Sequence, residues 1–257
     1  MIADIPERVP RAALVTGGAR RIGRAIVLAL AEAGFDVVIH CRNAQKEAAT
    51  LAAEVAAAGR RSLVLEADLG KEEEVEGLLG RAASLGPIGV LVNNASTFER
   101  DEWENVTRDS WDRHLEPNLR APFVLTQQFA RALPDAAEGV VVNLLDERVW
   151  SLTPHFVSYT LSKSGLWTLT RTLALALAPR IRVAGIGPGP TLPSVRQTAA
   201  DFARQNARLP LRHGATPEEI ARAVLMILAL PSFTGQMLAL DGGQHLRWGL
   251  ANTVIDE

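Results

Sequence analysis

The sequence predicts an α/β fold: a single doubly wound domain in which a seven-stranded parallel sheet carries helices on both faces. Short apolar segments alternate with helical patterns from residue 12 to residue 240, and such alternation is typical of a parallel sheet covered by helices. No Gly/Ser-rich linker or change of composition divides the 257 residues, and 47% of them are hydrophobic, enough for a sizeable core. We therefore predict one domain over residues 1–257.

Seven apolar segments predict the strands. Each is short and is followed by glycine or polar residues, as expected for strands that are buried in a parallel sheet. The predicted strands span residues 12–16, 36–41, 62–67, 90–93, 140–145, 182–186 and 236–240.

The segments between these strands predict the helices. Gly59 ends the second helix, and Thr216 followed by Pro217 begins the last one with an N-cap and a proline at the first helical position. Pro117 and Pro122 predict an irregular helix in the middle of the chain. The predicted helices span residues 22–33, 44–58, 71–84, 109–133 and 216–230 and the segment around Tyr159, with small excursions at 96–111 and 187–210.

Composition argues against several classes of protein. The net charge of −2 gives no indication of a nucleic-acid or membrane partner. The longest apolar run, residues 223–230, is too short to span a bilayer, and residues 1–11 contain no stretch of signal-peptide type. The single Cys41 excludes an internal disulfide, and the five histidines lack paired metal-ligand spacing. We expect a cytoplasmic protein with no metal site.

A glycine-rich turn joins the first strand to the first helix. Glycines at this place let the backbone approach a phosphate, and the helix N-terminus offers free N–H groups. The alternative is a tight turn that needs glycine only for a positive φ. The position after the first strand of an alternating series favours a nucleotide site of Rossmann type, with contacts from Gly17, Arg20, Arg21, Ile22 and Gly23.

The end of the second strand predicts which nucleotide binds. Sites selective for NAD usually place an acid there to hold the ribose hydroxyls, but residues 40–43 include no acid. Arg42 and Arg21 are candidates to bind the 2′-phosphate of NADPH through charge-assisted hydrogen bonds; the alternative is two solvated arginines. Asp68 is predicted either to bond the adenine edge or to cap a helix. The predicted contacts of this half of the cofactor are His40, Arg42, Asn43, Asp68 and Leu69.

Tyr159 and Lys163 lie four residues apart in a segment with helical apolar spacing, so their side chains share one face. The pKa of a tyrosine in water is about 10, and a fixed positive charge nearby favours the phenolate. The pair is therefore a candidate proton donor. The alternative is a buried tyrosine beside a solvated lysine.

Six motifs resemble the short-chain dehydrogenase/reductase family along nearly the whole chain: Thr16-Gly17-x-x-x-x-Ile22-Gly23, Asn93-Asn94-Ala95, Asn118, Tyr159-x-x-x-Lys163, Gly187-Pro188-Gly189 and Asp241-Gly242-Gly243. The resemblance implies that Tyr159 donates the proton, Lys163 holds the nicotinamide ribose, and Asn118 orders a water of the proton relay. It also implies cofactor contacts from Asn94, Ala95, Ser96, Tyr159, Lys163, Pro188 and Gly189.

Three departures from the family pattern resemble its pteridine reductase and dihydromonapterin reductase branch. Arg21 replaces the middle glycine of the turn, Ser96 replaces the glycine after Asn-Asn-Ala, and Asp146 replaces the catalytic serine expected thirteen residues before Tyr159. Members of that branch carry an arginine in the loop and an Asp-Tyr-Lys triad. The catalytic residues implied here are Asp146, Tyr159, Lys163 and Asn118.

These replacements suit a pterin substrate. Phe98 is a candidate aromatic lid that would sandwich a planar heterocycle against the nicotinamide, Ser96 can bond its polar edge, and Asp146 can pass a proton to Tyr159. The alternatives are that Phe98 only plugs a loop into the core and that Asp146 only caps a turn. The predicted substrate contacts are Ser96, Phe98, Asp146 and Tyr159.

The expected function is NADPH-dependent reduction of a dihydropterin, such as dihydromonapterin or dihydrobiopterin, to the tetrahydro form, with dihydrofolate as a further candidate. The alternatives are a carbonyl reductase of the same fold, of 3-oxoacyl, sugar or steroid type, and a catalytically silent NADP-binding protein. The loop at 188–208 is expected to cover the substrate. The resemblance also implies a homotetramer.

Overall fold

Seven parallel strands form one sheet in the computed structural model, which describes residues 4–194 and 196–246. The spatial order is β3-β2-β1-β4-β5-β6-β7, and every neighbouring pair is parallel. The predicted seven-stranded sheet is confirmed, and each predicted strand lies within two residues of an observed one. The strands are β1 (Ala12–Val15), β2 (Asp36–Cys41), β3 (Ser62–Glu66), β4 (Val90–Asn93), β5 (Gly139–Leu144), β6 (Ile181–Pro188) and β7 (Met237–Leu240).

Helices cover both faces of the sheet. Alternate residues of each strand point to opposite faces, so Ala13 and Val15 join one apolar cluster while Ala12 and Leu14 join the other. The first cluster also takes residues from α1 (Arg21–Glu32), α2 (Gln45–Ala57) and α9 (Pro217–Ala229). The second takes residues from α3 (Glu72–Glu76), α4 (Leu78–Ala82), α6 (Ala121–Ala132) and α7 (Val157–Ala176).

Two predicted helices are interrupted. The predicted helix at 71–84 is divided into α3 and α4 at Gly77 and then tightens into a 3₁₀ turn, Ala83–Leu85, because glycine is a poor helix former. The predicted helix at 109–133 consists of α5 (Arg108–Leu115), a π-helical turn Glu116–Arg120, and α6. Pro117 lies in that turn and has no N–H to donate, so the predicted irregularity is found there.

The segment predicted as a loop at 188–208 contains a helix, α8 (Ala199–Ala207). Thr198 and Asp201 form a capping box at its start, just as Thr216 and Glu219 do at the start of α9. A threonine with an acid three residues later is a helix-start signal, so this helix could have been predicted from the sequence.

The order of the strands places the site. β1 lies beside both β2 and β4, so the chain winds outward in two directions from β1, and ligands bind at the carboxyl ends of strands beside such a switch point. No helix among the described residues is long and apolar enough to cross a membrane. The predicted extent of the domain, 1–257, includes residues 1–3, 195 and 247–257, which lie outside the described residues.

Candidate active site

Two clefts open where the strands end. The first, which we call the glycine cleft, has a volume of about 360 Å³, and its lining includes Gly17, Gly23, His40, Arg42 and Asp68. The second, the tyrosine cleft, has a volume of about 240 Å³, and its lining includes Phe98, Asp146, Tyr159, Lys163 and Gly189. The two clefts adjoin each other, because both are lined by Arg21, Ile22, Asn94 and Ser96.

The glycine-rich turn has a backbone that side chains would disrupt. Gly17 has a φ of 60°, in the region that favours glycine. A Cβ on Gly23 would lie only 2.1 Å from the carbonyl oxygen of Gly17. Arg21, which stands in place of the usual middle glycine, also has a positive φ, of 52°, and that conformation explains why glycine is common there.

Asn94 fastens this turn to the end of β4. Its Nδ2 donates to the carbonyl oxygens of Thr16 (2.8 Å) and Gly17 (3.1 Å). In return, Thr16 Oγ1 accepts hydrogen bonds from the backbone N–H groups of Asn94 and Ala95, at 2.9 and 3.0 Å. Asn94, for which a supporting role was predicted, thus holds the glycine-rich turn against the end of β4 and itself lines the glycine cleft.

His40 is hydrogen-bonded to the glycine-rich turn. Its Nδ1 accepts from the backbone N–H of Gly17 at 3.0 Å, so its Nε2 carries the proton and donates to the carbonyl of Ala67 at 3.0 Å. Burial lowers the pKa of His40, which favours this neutral tautomer. The side chain predicted to contact a cofactor thus also braces the loop that would hold it.

Arg42 and Asp68 lie at the outer end of the glycine cleft. Their side chains form an ion pair, Nη1 to Oδ1, at 3.7 Å, and Arg42 is exposed. Asp68 Oδ1 also accepts from the backbone N–H of Gly70 at 3.0 Å, which closes a turn ahead of α3. The N-cap of α3 is Lys71, and no side chain caps that helix, so Asp68 does not have the alternative role of a helix cap. Leu69 joins the lining of the cleft. Asn43 is exposed and does not belong to the lining of either cleft.

The side chain of Arg21 is turned away from Arg42. Its guanidinium donates to the carbonyl oxygens of Pro193 (3.1 Å) and Leu192 (3.3 Å), in the segment that follows β6. Arg20 makes an ion pair with Glu47 on α2. Of the two arginines predicted to bind a 2′-phosphate together, the structure directs only Arg42 toward the outer end of the glycine cleft.

Tyr159 and Lys163, on α7, meet Asp146 in the tyrosine cleft. The hydroxyl of Tyr159 donates to Asp146 Oδ2 at 2.7 Å. Lys163 Nζ donates to the carbonyl of Leu144 at 2.7 Å and lies 5.9 Å from the centre of the Tyr159 ring. Burial lowers the pKa of Lys163 to about 8, against the opposing attraction of Asp146. The predicted Asp-Tyr-Lys group is therefore assembled in one place.

Asp146 also has the alternative role considered for it. It begins the short 3₁₀ turn Glu147–Val149, where its Oδ1 accepts from the backbone N–H of Arg148 at 2.9 Å. One carboxylate oxygen thus caps the turn after β5 while the other receives the phenol. The two readings of this residue are compatible.

The side chain of Asn118 does not face either cleft. Its Oδ1 accepts from Thr97 N (2.8 Å) and Ser96 Oγ (3.2 Å), and its Nδ2 donates to Thr97 O (2.9 Å) and Ser162 Oγ (3.0 Å). An amide has two acceptor and two donor positions, so none is left to order a water. In this structure the side chain fastens the Ser96–Thr97 turn to α7, and the relay role that the resemblance implied stays a prediction.

Phe98 is half-buried in the wall of the tyrosine cleft. It stacks on Phe156, with ring centres 4.6 Å apart and planes 8° apart, and it meets the Tyr159 ring edge-on at 4.7 Å. One face of Phe98 is therefore covered by the protein. Ser96, the other predicted substrate contact in this loop, is exposed where the two clefts join.

Pro188 and Gly189, at the end of β6, lie in the lining of the tyrosine cleft as predicted for cofactor contacts. A Cβ on Gly189 would lie 2.7 Å from Cα of Asp241, so this strand end must be glycine for β7 to approach.

Several polar residues of the tyrosine cleft were missed by the sequence reasoning, among them Arg148, Arg196 and Gln244. Gln244 directly follows the Asp241-Gly242-Gly243 motif, whereas no motif marks the two arginines. Arg148 is two residues from Asp146, and Arg196 precedes α8, so only their nearness to predicted residues could have drawn attention to them.

Comparison with known proteins identifies the family. The family model for the short chain dehydrogenase matches residues 11–204. Among curated proteins, 3-oxoacyl-[acyl-carrier-protein] reductase FabG of Staphylococcus epidermidis is 28% identical over 92% of this chain and 99% of its own length. Probable galactose dehydrogenase GalD of Rhizobium meliloti is 32% identical over 94% and 97%.

Two solved structures are more similar still. FolM alternative dihydrofolate reductase 1 of Brucella canis, complexed with NADP, is 48% identical, with a TM-score of 0.92 over 97% of this chain and 100% of that one. Its counterpart from Brucella suis, also with NADP, is 49% identical, with a TM-score of 0.90 over 99% and 100%. The chain therefore belongs to the short-chain dehydrogenase family and is a nicotinamide-dependent oxidoreductase of that family.

Proposed function

We propose that this protein reduces a dihydropterin to the tetrahydro form with NADPH. The observation that carries the proposal is the 2.7 Å hydrogen bond from Tyr159 to Asp146, beside Lys163 in the tyrosine cleft, which adjoins the glycine cleft. The similarity to two FolM proteins solved with NADP supports it, because both are named as alternative dihydrofolate reductases.

The glycine cleft fits a nicotinamide nucleotide. The turn at Gly17 and Gly23 leaves no room for side chains, and the first N–H groups of α1 open onto it. Arg42, exposed at its outer end, would hold the 2′-phosphate that distinguishes NADPH. Lys163 and Gly189 would hold the nicotinamide end. When bound, NADPH supplies a hydride from C4 of the nicotinamide.

The residues of the tyrosine cleft would handle the proton. Tyr159 Oη lies in the wall of the tyrosine cleft, and the buried ammonium of Lys163 favours loss of the phenol proton. Asp146 Oδ2 accepts from the phenol and can return a proton to it. The C=N bond of a dihydropterin needs one hydride and one proton, and this arrangement provides the second.

Phe98 and Ser96 would bind the ring of the pterin. Phe98 lines the tyrosine cleft and stacks on the buried Phe156, which gives the cleft an aromatic surface, while Ser96 offers a hydroxyl at the junction of the clefts. Dihydromonapterin, dihydrobiopterin and dihydrofolate share this ring and differ only in the side chain.

Carbonyl reduction is the competing function, because the curated relatives include a 3-oxoacyl reductase and a sugar dehydrogenase. Asp146 argues against it, since a ketone needs only a neutral donor to polarise its oxygen. A catalytically silent NADP-binding protein is a weaker alternative, because Asp146, Tyr159 and Lys163 are assembled in one cleft.

The test is loss of NADPH absorbance with dihydromonapterin, dihydrobiopterin, dihydrofolate, a 3-oxoacyl thioester and galactose as separate substrates. We expect turnover with at least one dihydropterin and none with the other two classes, and loss of turnover in Tyr159→Phe. Turnover of the thioester or the sugar alone would refute the proposal in favour of carbonyl chemistry. Binding of NADPH with no turnover of any of them would favour the silent protein.

The homotetramer remains part of the proposal. Leu161 and Leu175 on α7 are exposed, Leu175 by 83%, which is unusual for leucine and fits a face that packs against a second copy. A monomer by light scattering at micromolar concentration would contradict it.

We also propose a reducing compartment, the cytoplasm, because Cys41 is buried and unpaired.

A further inference from the structure

A buried arginine lines the tyrosine cleft and has no part in the function proposed above. Arg148 is 5% exposed, although arginine is seldom buried to this extent. It follows Asp146 by two residues and belongs to the wall of the cleft.

The carboxylate of Asp146 is approached from three directions. Its Oδ1 accepts from the backbone N–H of Arg148 at 2.9 Å. Its Oδ2 accepts from Tyr159 Oη at 2.7 Å and faces Arg148 Nη1 at 3.8 Å. The backbone contact would survive any substitution of Arg148 except proline, whereas the contact at Oδ2, the oxygen that receives the phenol, depends on the guanidinium.

Aromatic rings restrict the guanidinium of Arg148. Its Cζ lies 5.3 Å from the ring centre of Phe98 and 5.0 Å from that of Phe156, and guanidinium groups pack favourably beside such rings. Because this side chain is buried among rings on one side and beside Asp146 on the other, it has little freedom to leave the carboxylate.

We infer that Arg148 is a positioning residue, whose guanidinium holds Oδ2 of Asp146 in the place where it meets the phenol of Tyr159. The inference rests on the proposed function only in that the activity assay uses a dihydropterin as substrate. Arg148 does not line the glycine cleft, so its loss is expected to leave the contacts that this cleft would make with NADPH in place.

A double-mutant cycle tests this directly, since it separates coupling between two residues from their separate effects. The variants are R148Q, D146N and the double variant, with R148K as the conservative rescue. R100Q is the matched control, because Arg100 also lies near the Phe156 ring, at 5.8 Å, but pairs with Glu102 instead of Asp146.

We expect R148Q to lower kcat for the dihydropterin by roughly 10- to 100-fold, the usual cost of a misplaced catalytic group, with the KM for NADPH nearly unchanged. R148K should recover most of the loss, and R100Q should be close to wild type. In the D146N background, R148Q should cost less than about threefold. An equal loss in both backgrounds, or an equal loss in R100Q, would overturn the inference.

A second measurement needs no substrate. Tyr159 is the single tyrosine of the chain, so the ultraviolet absorbance of tyrosinate reports its ionisation alone. The charged and titratable groups around it are Asp146, Arg148, Lys163 and the ring of His114, 6.1 Å away. R148Q should shift the midpoint in wild type and much less in the D146N background, since Arg148 acts through that carboxylate.

The two measurements keep the inference distinct from the proposed function. If no dihydropterin is turned over but the tyrosinate midpoint moves as expected, the function fails and the inference stands. If turnover is found but the midpoint and the cycle show no coupling, the inference fails and the function stands. R148M, which keeps an unbranched side chain and removes the charge, serves both measurements should R148Q fail to fold.

Discussion

The hydroxyl of Tyr159 donates a 2.7 Å hydrogen bond to Oδ2 of Asp146, and the carboxylate lies between the phenol and a buried arginine. A serine in this position would itself be a neutral donor and acceptor, whereas a carboxylate can accept the phenol proton or return it. The chemistry at the end of β5 therefore differs from that of a site built to polarise a ketone. Substitutions at five residues of the two clefts test this difference and the surroundings on which it depends.

Replacing Asp146 with serine tests the proton path. If Asp146 supplies the proton, Asp146→Ser should lower kcat for a dihydropterin and change the shape of its dependence on pH, with NADPH binding nearly unchanged. If solvent protonates the ring and Asp146 only holds the substrate, KM should rise and kcat should be spared. The measurement is kcat against pH for both enzymes. Profiles that overlay in shape and height would remove Asp146 from the proton path.

Replacing Tyr159 with phenylalanine removes the proposed donor and keeps the ring. The edge-on contact with Phe98 should persist, so the fold and the wall of the tyrosine cleft should be preserved. We expect kcat to fall by about 100-fold or more, as for loss of a general acid, with little change in the NADPH dissociation constant. A variant that retains more than half of the wild-type kcat would show that Tyr159 is not the donor.

The sequence predicted the sheet well because its strands are buried on both faces and read as continuous apolar runs. It also placed Tyr159 and Lys163 together, since residues four apart share a helix face, and the resemblance to the family implied that Asp146 belongs with them. The spacing of motifs along a chain carries this kind of information.

The details that the sequence did not predict depend on side-chain direction. Arg21 lies in the predicted turn, but its guanidinium bonds carbonyls near residue 193 that are distant in sequence. Asn118 occupies the expected position, and its side-chain amide is hydrogen-bonded to Thr97, Ser96 and Ser162. Arg148 was identified only from the residues that it contacts in the folded structure. A sequence pattern does not show which distant residues a side chain contacts.

Arg42 should determine the preference for NADPH. Arg42→Asp removes a charge-assisted hydrogen bond to the 2′-phosphate, worth about 1.5–3 kcal/mol, and places an acid where NAD sites carry one. We expect kcat/KM for NADPH to fall by roughly 10- to 100-fold while that for NADH stays the same or rises. Arg131→Asp makes the same charge change on α6, outside both clefts, and should leave the ratio unchanged. Equal efficiency with both cofactors in wild type would already contradict the prediction.

Gly23 should be intolerant of any side chain. The Cβ of Gly23→Ala would lie 2.1 Å from Gly17 O and 2.7 Å from Asn94 Nδ2, so the turn must move and NADPH binding should weaken by about tenfold or more. Gly80→Ala on α4 is the control, because its Cβ would meet nothing within 4 Å. That change should stabilise the protein by roughly 0.5–1 kcal/mol. Fluorescence titration with NADPH and thermal unfolding of both variants would check the pair.

Lys163 should make the stability of the cofactor-free protein depend on pH in an unusual direction. Burial lowers its pKa from 10.5 to about 8 in the folded state, so between pH 8 and 10.5 the unfolded chain binds more protons than the folded one at this group. Stability rises with pH wherever that holds. The cost of burying the ammonium is therefore fully present below pH 8 and is relieved as the pH increases toward 10.5, by up to about 3 kcal/mol.

Lys163→Met isolates this contribution, because methionine is similar in length and carries no charge. We expect the free energy of unfolding of wild type, minus that of Lys163→Met, to increase steadily from pH 8 to pH 10 in urea titrations at matched ionic strength. Subtracting the variant cancels the other groups that titrate in that range, including Tyr159 to the extent that it does not sense the lysine. A flat or falling difference would mean that folding does not lower the pKa of Lys163. Burial would then not disfavour the charged ammonium beside Tyr159.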